Sequence, residues 1–200
     1  MALKRAVFIT VLIVLFLDQL SKLWIKTNFV LGQEFQVFDW FIIHFTENNG
    51  MAFGLEFGGE WGKIMLTFFR IVVTIWLGFF IKGLIIQKAP QITTIAFSLV
   101  LAGAIGNIID SVFYGVFFNE SINNLATFFP NEGGYAPFFQ GRVVDMLYFP
   151  LFKGFLPDWI PFIGGDYFIF FRPVFNIADA AITIGVLILF VFNKKAFPTN

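Results

Sequence analysis

The chain contains no cysteine and a single histidine, and charged residues make up only 13% of its 200 positions. Each shortage removes a class of chemistry. Without cysteine there is no disulfide, thiol nucleophile or thiolate metal site, and one histidine does not build an imidazole metal site. Lys plus Arg and Asp plus Glu number 13 each, so the net charge is zero and no basic field exists to attract nucleic acid. Any reaction must be carried by Asp, Glu, Ser, Thr, Lys or Tyr.

What is abundant is apolar: 58% of the residues are hydrophobic, 20% are aromatic, and 32 are Phe. That composition belongs to polytopic membrane proteins. Lys4-Arg5 and the apolar run from Ala6 begin like a secretory leader, but no small-x-small cleavage site follows and the run continues to Ile25. An uncleaved first helix is expected over about 6–26, with further spans at about 63–86, 93–118 and 173–192, each long enough for about 30 Å of hydrocarbon. The expected fold is an all-α polytopic membrane protein of four transmembrane helices, with a small extracytoplasmic β-sheet and irregular outer loops at about 27–62 and 119–172. Residues 1–200 form a single membrane domain on this reading. Cations cluster at Lys4 and Arg5, at Lys82 and Lys88, and at Lys194 and Lys195. In a four-helix topology these fall on one side, so the positive-inside rule puts both termini in the cytoplasm.

The outer loops carry short aromatic and β-branched runs at Glu34–Phe38 and Phe41–Phe45, which predict strands, and another strand is expected near Gln140–Leu147. Pro173 suits a first helical position, so the last helix is expected to start there, with Asn176 and Asp179 on one face and Asp179 about 9 Å inside. Asp18 and Lys22 are four apart in the first helix, a spacing for an ion pair. Asn107 and Asp110 lie late in the third, below Gly103 and Gly106, which permit close packing. Arg70 interrupts the second helix. The alternating topology brings all these polar positions to the outer leaflet, and ionisable residues inside membrane spans point to function because they are costly there. His44, in an apolar strand, reads as structural. Ser21 beside Lys22 suggests a Ser-Lys nucleophile, but adjacent helical residues do not face each other.

In Gly141-Arg142-Val143-Val144-Asp145, a strand would aim Asp145 to one face. Paired with Asp179 it would make a dyad in which one carboxyl keeps a proton while the other takes one from water. Spacing alone leaves other outer-loop acids as equal partners, and a proton-coupled carrier built from the same buried groups stays open as well.

Five blocks in order carry a resemblance. They are Asp18-Gln19-Leu20-Ser21-Lys22, Asn48-Asn49-Gly50-Met51-Ala52-Phe53, Gly103 to Asp110, Gly141 to Asp145, and Phe175-Asn176-Ile177-Ala178-Asp179. The chain resembles the lipoprotein signal peptidases, the type II signal peptidases of bacteria, over nearly its whole length. The resemblance implies an aspartic endopeptidase of the inner membrane that removes the signal peptide of a prolipoprotein just before a diacylglyceryl-modified Cys. It implies Asp145 and Asp179 as the catalytic pair. Asn48, Gly50, Asn107, Asp110, Arg142 and Asn176 become substrate-binding or dyad-supporting residues, and Asp18 and Lys22 structural polar ones. It implies no metal and no cofactor, membrane lipids as surroundings, and a monomer. Two departures stand out: Ser111 occupies a position where the family commonly has Arg, leaving Arg142 or Arg70 to supply a cation, and 117–139 and 148–171 are long. These insertions are expected to act as an extra lid.

Overall fold

The computed structural model describes residues 2–49 and 59–196. Among these described residues three helices are long and apolar enough to cross a membrane: α1 (Ala2–Asn28), α2 (Gly59–Ile86), and α3 (Gln91–Ile109), which runs on through a π-helical turn at Asp110–Tyr114 into a last turn, α4 (Gly115–Phe117). Their outward faces are apolar. Phe8, Leu12, Phe16 and Leu20 line one exposed stripe of α1, and Phe69, Val72, Trp76 and Phe79 one of α2, each at the three- and four-residue spacing of a single helix face. The buried face of α1 instead carries Asp18, Lys22, Ile25 and Lys26. Polar residues inside and apolar residues outside are the arrangement expected where lipid is the solvent.

The fourth apolar helix is shorter than expected. α5 spans Ile177–Val191 and is followed by the short α6 (Asn193–Ala196). It does not begin at Pro173, because Val174–Phe175 form strand β6 and pair with Tyr148 and Leu147. Asn176 is the N-cap: its side chain accepts a hydrogen bond from the Asp179 amide, a role asparagine fills well. Asp179 therefore sits in the first turn rather than 9 Å inside the helix.

α5 packs along α3, where glycines permit the approach. A Cβ on Gly103 would stand 2.2 Å from the Ala178 carbonyl oxygen, and one on Gly185 would stand 2.6 Å from that of Ala96. Any larger residue would push the two helices apart.

At one end of the bundle lies an antiparallel sheet in the order β1 (Glu34–Phe38), β2 (Phe41–Asn48), β3 (Val143–Tyr148), β6. The strands expected from the first loop are present, and β3 covers most of the expected third. The second loop is more ordered than its Gly- and Pro-rich sequence suggested. It also holds a separate hairpin of β4 (Phe152–Phe155) and β5 (Tyr167–Phe170). β3 is central, and its side chains alternate between two buried surroundings. Val144 and Met146 enter an apolar cluster with Ile25, Phe29, Phe45, Tyr114, Phe118 and Ala126. Val143 and Asp145 face the opposite way, toward α5 and Asn176. From the 117–139 insertion, Phe117, Phe118, Ala126 and Tyr135 pack on the apolar cluster behind β3, so this part is a buttress and not the expected lid.

Candidate active site at one end of the helix bundle

The polar residues picked out along the chain meet. Asn107 donates to Asp179 Oδ1 at 2.8 Å, and Asn176 donates to Asp145 Oδ1 at 2.7 Å and to Asn107 Oδ1 at 3.2 Å. The same Asn176 accepts from the Asp179 amide at 2.9 Å. Each of the two carboxyl groups is therefore held by an asparagine, and the asparagines hold each other. Asp145 is 3% exposed and Asn176 fully buried, whereas Asp179 is partly open to the surface. Asp179 lines a cavity of about 360 Å³ whose other walls, including Phe171, Pro173, Phe175, Thr183 and Ile184, are almost wholly apolar.

A second layer lies beneath. Lys22 contacts Asp18 at 2.9 Å and Asp110 at 2.8 Å, and donates to Asn107 Oδ1 at 2.9 Å. The two acids in turn hold backbone: Asp18 accepts from the Ala178 amide at 2.9 Å and Asp110 from the Val144 amide at 3.3 Å. Asp18 thus caps the start of the Asp179 helix, and Asp110 fixes the residue beside Asp145. A Cβ on Gly106 would come within 2.5 Å of Asp18 Oδ2, so that position has to be glycine if the carboxylate is to stay. The π-turn that opens at Asp110 occurs where the helix reaches the site, as such turns often do.

Electrostatics follow from this geometry. Burial, with the neighbouring Asp179 carboxylate adding to it, pushes Asp145 up to about 7, against the opposing pull of Lys22 and the Asn176 hydrogen bond. Arg70 of α2 is within electrostatic reach of Asp179. Arg142 is engaged elsewhere: it pairs with Glu47 at 2.7 Å and with Glu120, and its guanidinium lies 4.5 Å from the centre of the Tyr135 ring. Of the two cations that could stand in for the Arg missing at Ser111, Arg70 is the one that senses the charge of Asp179. Ser111 donates to the Asn107 carbonyl oxygen at 2.9 Å.

Other sequence candidates have separate tasks. Asn48 ends β2 opposite Val143, and Gly50, with the rest of its block through Phe53, lies outside the described residues. Ser21 donates to the Asp18 carbonyl oxygen at 2.8 Å and not to Lys22. His44 pairs with Glu34 across the β1–β2 ladder at 2.5 Å. Two participants were missed. Gln19 donates to Asp18 at 3.1 Å and to Asp110 at 3.0 Å. Lys26, fully buried, contacts Glu47 and Ser121. Lys26 had a signal in the sequence, since it continues the four-residue spacing of Asp18 and Lys22 on one helix face. Among the described residues no group of three or more His, Asp and Glu converges as a metal would require.

A buried Asp145 and a partly open Asp179, joined through two asparagines at one end of a bundle of membrane-length helices, are the features of a membrane protein with acid–base groups at one site. Similarity to known proteins narrows the class. The family described as signal peptidase (SPase) II matches residues 10–193. The lipoprotein signal peptidase of Porphyromonas gingivalis is 50% identical over 191 residues, covering 94% of this chain and 82% of the relative. That of Amoebophilus asiaticus is 38% identical over 189 residues, covering 92% and 75%. A bacterial membrane enzyme solved by the in meso method at 2.3 Å resolution superposes with a TM-score of 0.60 at 25% identity, over 97% of this chain and 91% of that one. The chain belongs to the signal peptidase II family and is a membrane protease.

Proposed function

We propose that this protein removes the signal peptide from diacylglyceryl-modified prolipoproteins by aspartic catalysis, with Asp145 and Asp179 as the catalytic pair. The observation that carries the reading is the hydrogen-bonded path Asp145–Asn176–Asn107–Asp179, which gives both carboxyl groups fixed orientations on one site. A carboxyl pair sharing one proton supplies a base and an acid together. The ionised carboxylate takes a proton from water, whose oxygen attacks the carbonyl carbon of the scissile amide. The protonated carboxyl hydrogen-bonds the carbonyl oxygen as charge develops there. Proton transfer to the amide nitrogen and cleavage of the C–N bond then release the two chains.

Asn107 and Asn176 orient the pair, and Asp110 and Arg142 position the start of β3. Asn48 and Gly50 are assigned to substrate binding, and Lys22 with Asp18 neutralises the layer beneath. The apolar cavity beside Asp179 suits the apolar part of a signal peptide or of the lipid attached to Cys. The chemistry uses no cofactor. The protein is a monomer of one domain. α5 with its flanking residues serves as a fourth span, both termini are cytoplasmic, and the site opens at the outer boundary of the inner membrane. A lipidated Cys is held at that depth by its acyl chains.

The test is cleavage of a lipid-modified prolipoprotein by the purified protein. Asp145→Asn and Asp179→Asn should each lower the rate by about 10³-fold or more, in the upper range for loss of a general acid or base, with no loss of thermal stability. Substantial turnover by either variant would overturn the dyad.

A further inference from the structure

The hairpin β4–β5 and its tip are the part of the molecule that the site chemistry leaves unexplained. The tip is folded: Leu156 donates to the Asp166 carbonyl oxygen at 2.9 Å, and Gly164 and Gly165 donate to Ile160 and Leu156 at 3.0 Å each. On this closed turn Trp159 is 80% exposed and Phe162 completely exposed. Phe162 also has φ 69°, a left-handed backbone that favours glycine. A bulky aromatic residue therefore occupies a strained turn position while its ring touches nothing in the protein. Along the strands Phe152, Phe155, Tyr167 and Phe170 are exposed too, and they cover both faces of a two-stranded ribbon. An isolated two-stranded hairpin is marginal in water, and an apolar surface against it supplies what a third strand would.

The length of α5 says where that surface is. Its 15 residues span about 22 Å, short of the roughly 30 Å of hydrocarbon that the longer helices cross. With Lys194 and Lys195 just beyond its far end, the deficit falls at the end that carries Asn176. The non-helical residues 171–175 must make up the remaining depth, which brings the base of the hairpin to the membrane boundary. Exposed Lys153 and Arg172 at that base match headgroup phosphates, and Trp and Tyr are the side chains that prefer this layer. Asp158 and Asp166 near the tip keep it out of the hydrocarbon centre, where an open sheet edge is also excluded.

We propose that β4–β5 lies along the bilayer interface as an aromatic anchor, with Trp159 and Phe162 seated among the lipid headgroups and upper acyl chains beside the Asp179 cavity. The occupant of this face is phospholipid. The inference rests on the membrane crossing of α1, α2 and α3 and not on the reaction performed at the site.

Because the chain has no cysteine, single labels are clean. Phe162→Cys and, separately, Trp159→Cys would each carry a nitroxide in nanodiscs of phosphatidylethanolamine and phosphatidylglycerol. Ile75→Cys, on the exposed face of α2, is the lipid standard, and free label is the aqueous one. Collision rates with oxygen, which partitions into lipid, and with a water-soluble nickel chelate report depth. The expected result is an oxygen-to-nickel ratio severalfold above the aqueous value at both positions, approaching that of Ile75. A ratio equal to the aqueous value would overturn the proposal, because the hairpin would then stand in water. Low collision with both reagents would overturn it equally, because a second copy or another part of the chain would then cover the tip. Neither readout depends on peptide cleavage.

Discussion

Two ionic clusters, each centred on a buried lysine, lie one helical turn apart on α1, and they differ in balance. The lower one sets Lys26 and Arg142 against Glu47 and Glu120, two charges against two, with Ser121 and the Tyr135 ring completing the contacts. The upper one gathers Asp18, Asp110, Asp145 and Asp179 around Lys22, with Arg70 in reach of Asp179. A balanced cluster satisfies its own charges and serves to fasten β2, β3 and the 119–142 segment to the end of α1. A cluster with excess carboxylates in low dielectric cannot ionise them all, so one proton is retained. Retention of that proton separates the catalytic candidate from the fastening device, although both are built around a buried lysine of α1.

The comparison breaks most visibly at the two lysines. Lys22→Met should cost about 3–5 kcal/mol, because it leaves Asp18 and Asp110 buried without their cation. Thermal unfolding in detergent would report this, and a loss below 1 kcal/mol would show that the upper cluster is not held by Lys22. Lys26→Met should cost less, about 1.5–3 kcal/mol, since Glu47 keeps Arg142 as a partner. Equal losses for the two variants would show that the two clusters do not differ in how far they depend on their lysine.

The retained proton makes its own prediction. In the folded protein Asp145 holds its proton up to about pH 7, whereas an unfolded chain releases it near pH 4, or roughly 3.9. The folded state therefore binds more protons across that window, and this contribution to stability is lost as pH rises from about 4 to 7. Cleavage should fall about tenfold per unit above the point where the pair loses its proton, since the acid is then missing. Asp179→Asn removes the second cause of the shift and leaves burial, so the Asp145 carboxyl band followed by infrared titration should move to lower pH but stay above the ordinary range. An unmoved band would mean that the two carboxyl groups do not sense each other. Ser21→Ala should be the mildest change, within about 0.5 kcal/mol and without effect on cleavage; a large loss of activity would favour a serine mechanism.

Much of the site was legible along the chain because membrane spans make polar residues conspicuous. Asp18, Lys22, Asn107, Asp110, Asn176 and Asp179 interrupt apolar runs, and the alternation of helix direction brings them to one end. The Glu34–Phe38 strand was equally clear from its aromatic and β-branched composition. The hairpin in 148–171 was not, although Phe152-Lys153-Gly154-Phe155 and Tyr167-Phe168-Ile169-Phe170 carry a similar pattern. The intervening Gly and Pro residues read as an irregular loop until Leu156, Gly164 and Gly165 are seen to close the tip. The start of α5 was misplaced for a related reason. Pro173 permits a helix start, but pairing of Val174 and Phe175 with β3 passes the role to Asn176.

By itself the sequence determined that the chain enters a membrane, which residues in its spans are costly to bury, and which family motifs it carries, because hydropathy and local motif order are properties of neighbours along the chain. Tertiary structure alone decided that Asn107 and Asn176 join Asp145 to Asp179, that Arg142 fastens β3 to Glu47 and Glu120, and that Asp18 reaches the Ala178 amide. Those partners lie tens to more than a hundred residues apart. Only the packing of α3 against α5 through glycines, and of β3 between two buried faces, brings them within a hydrogen bond of one another.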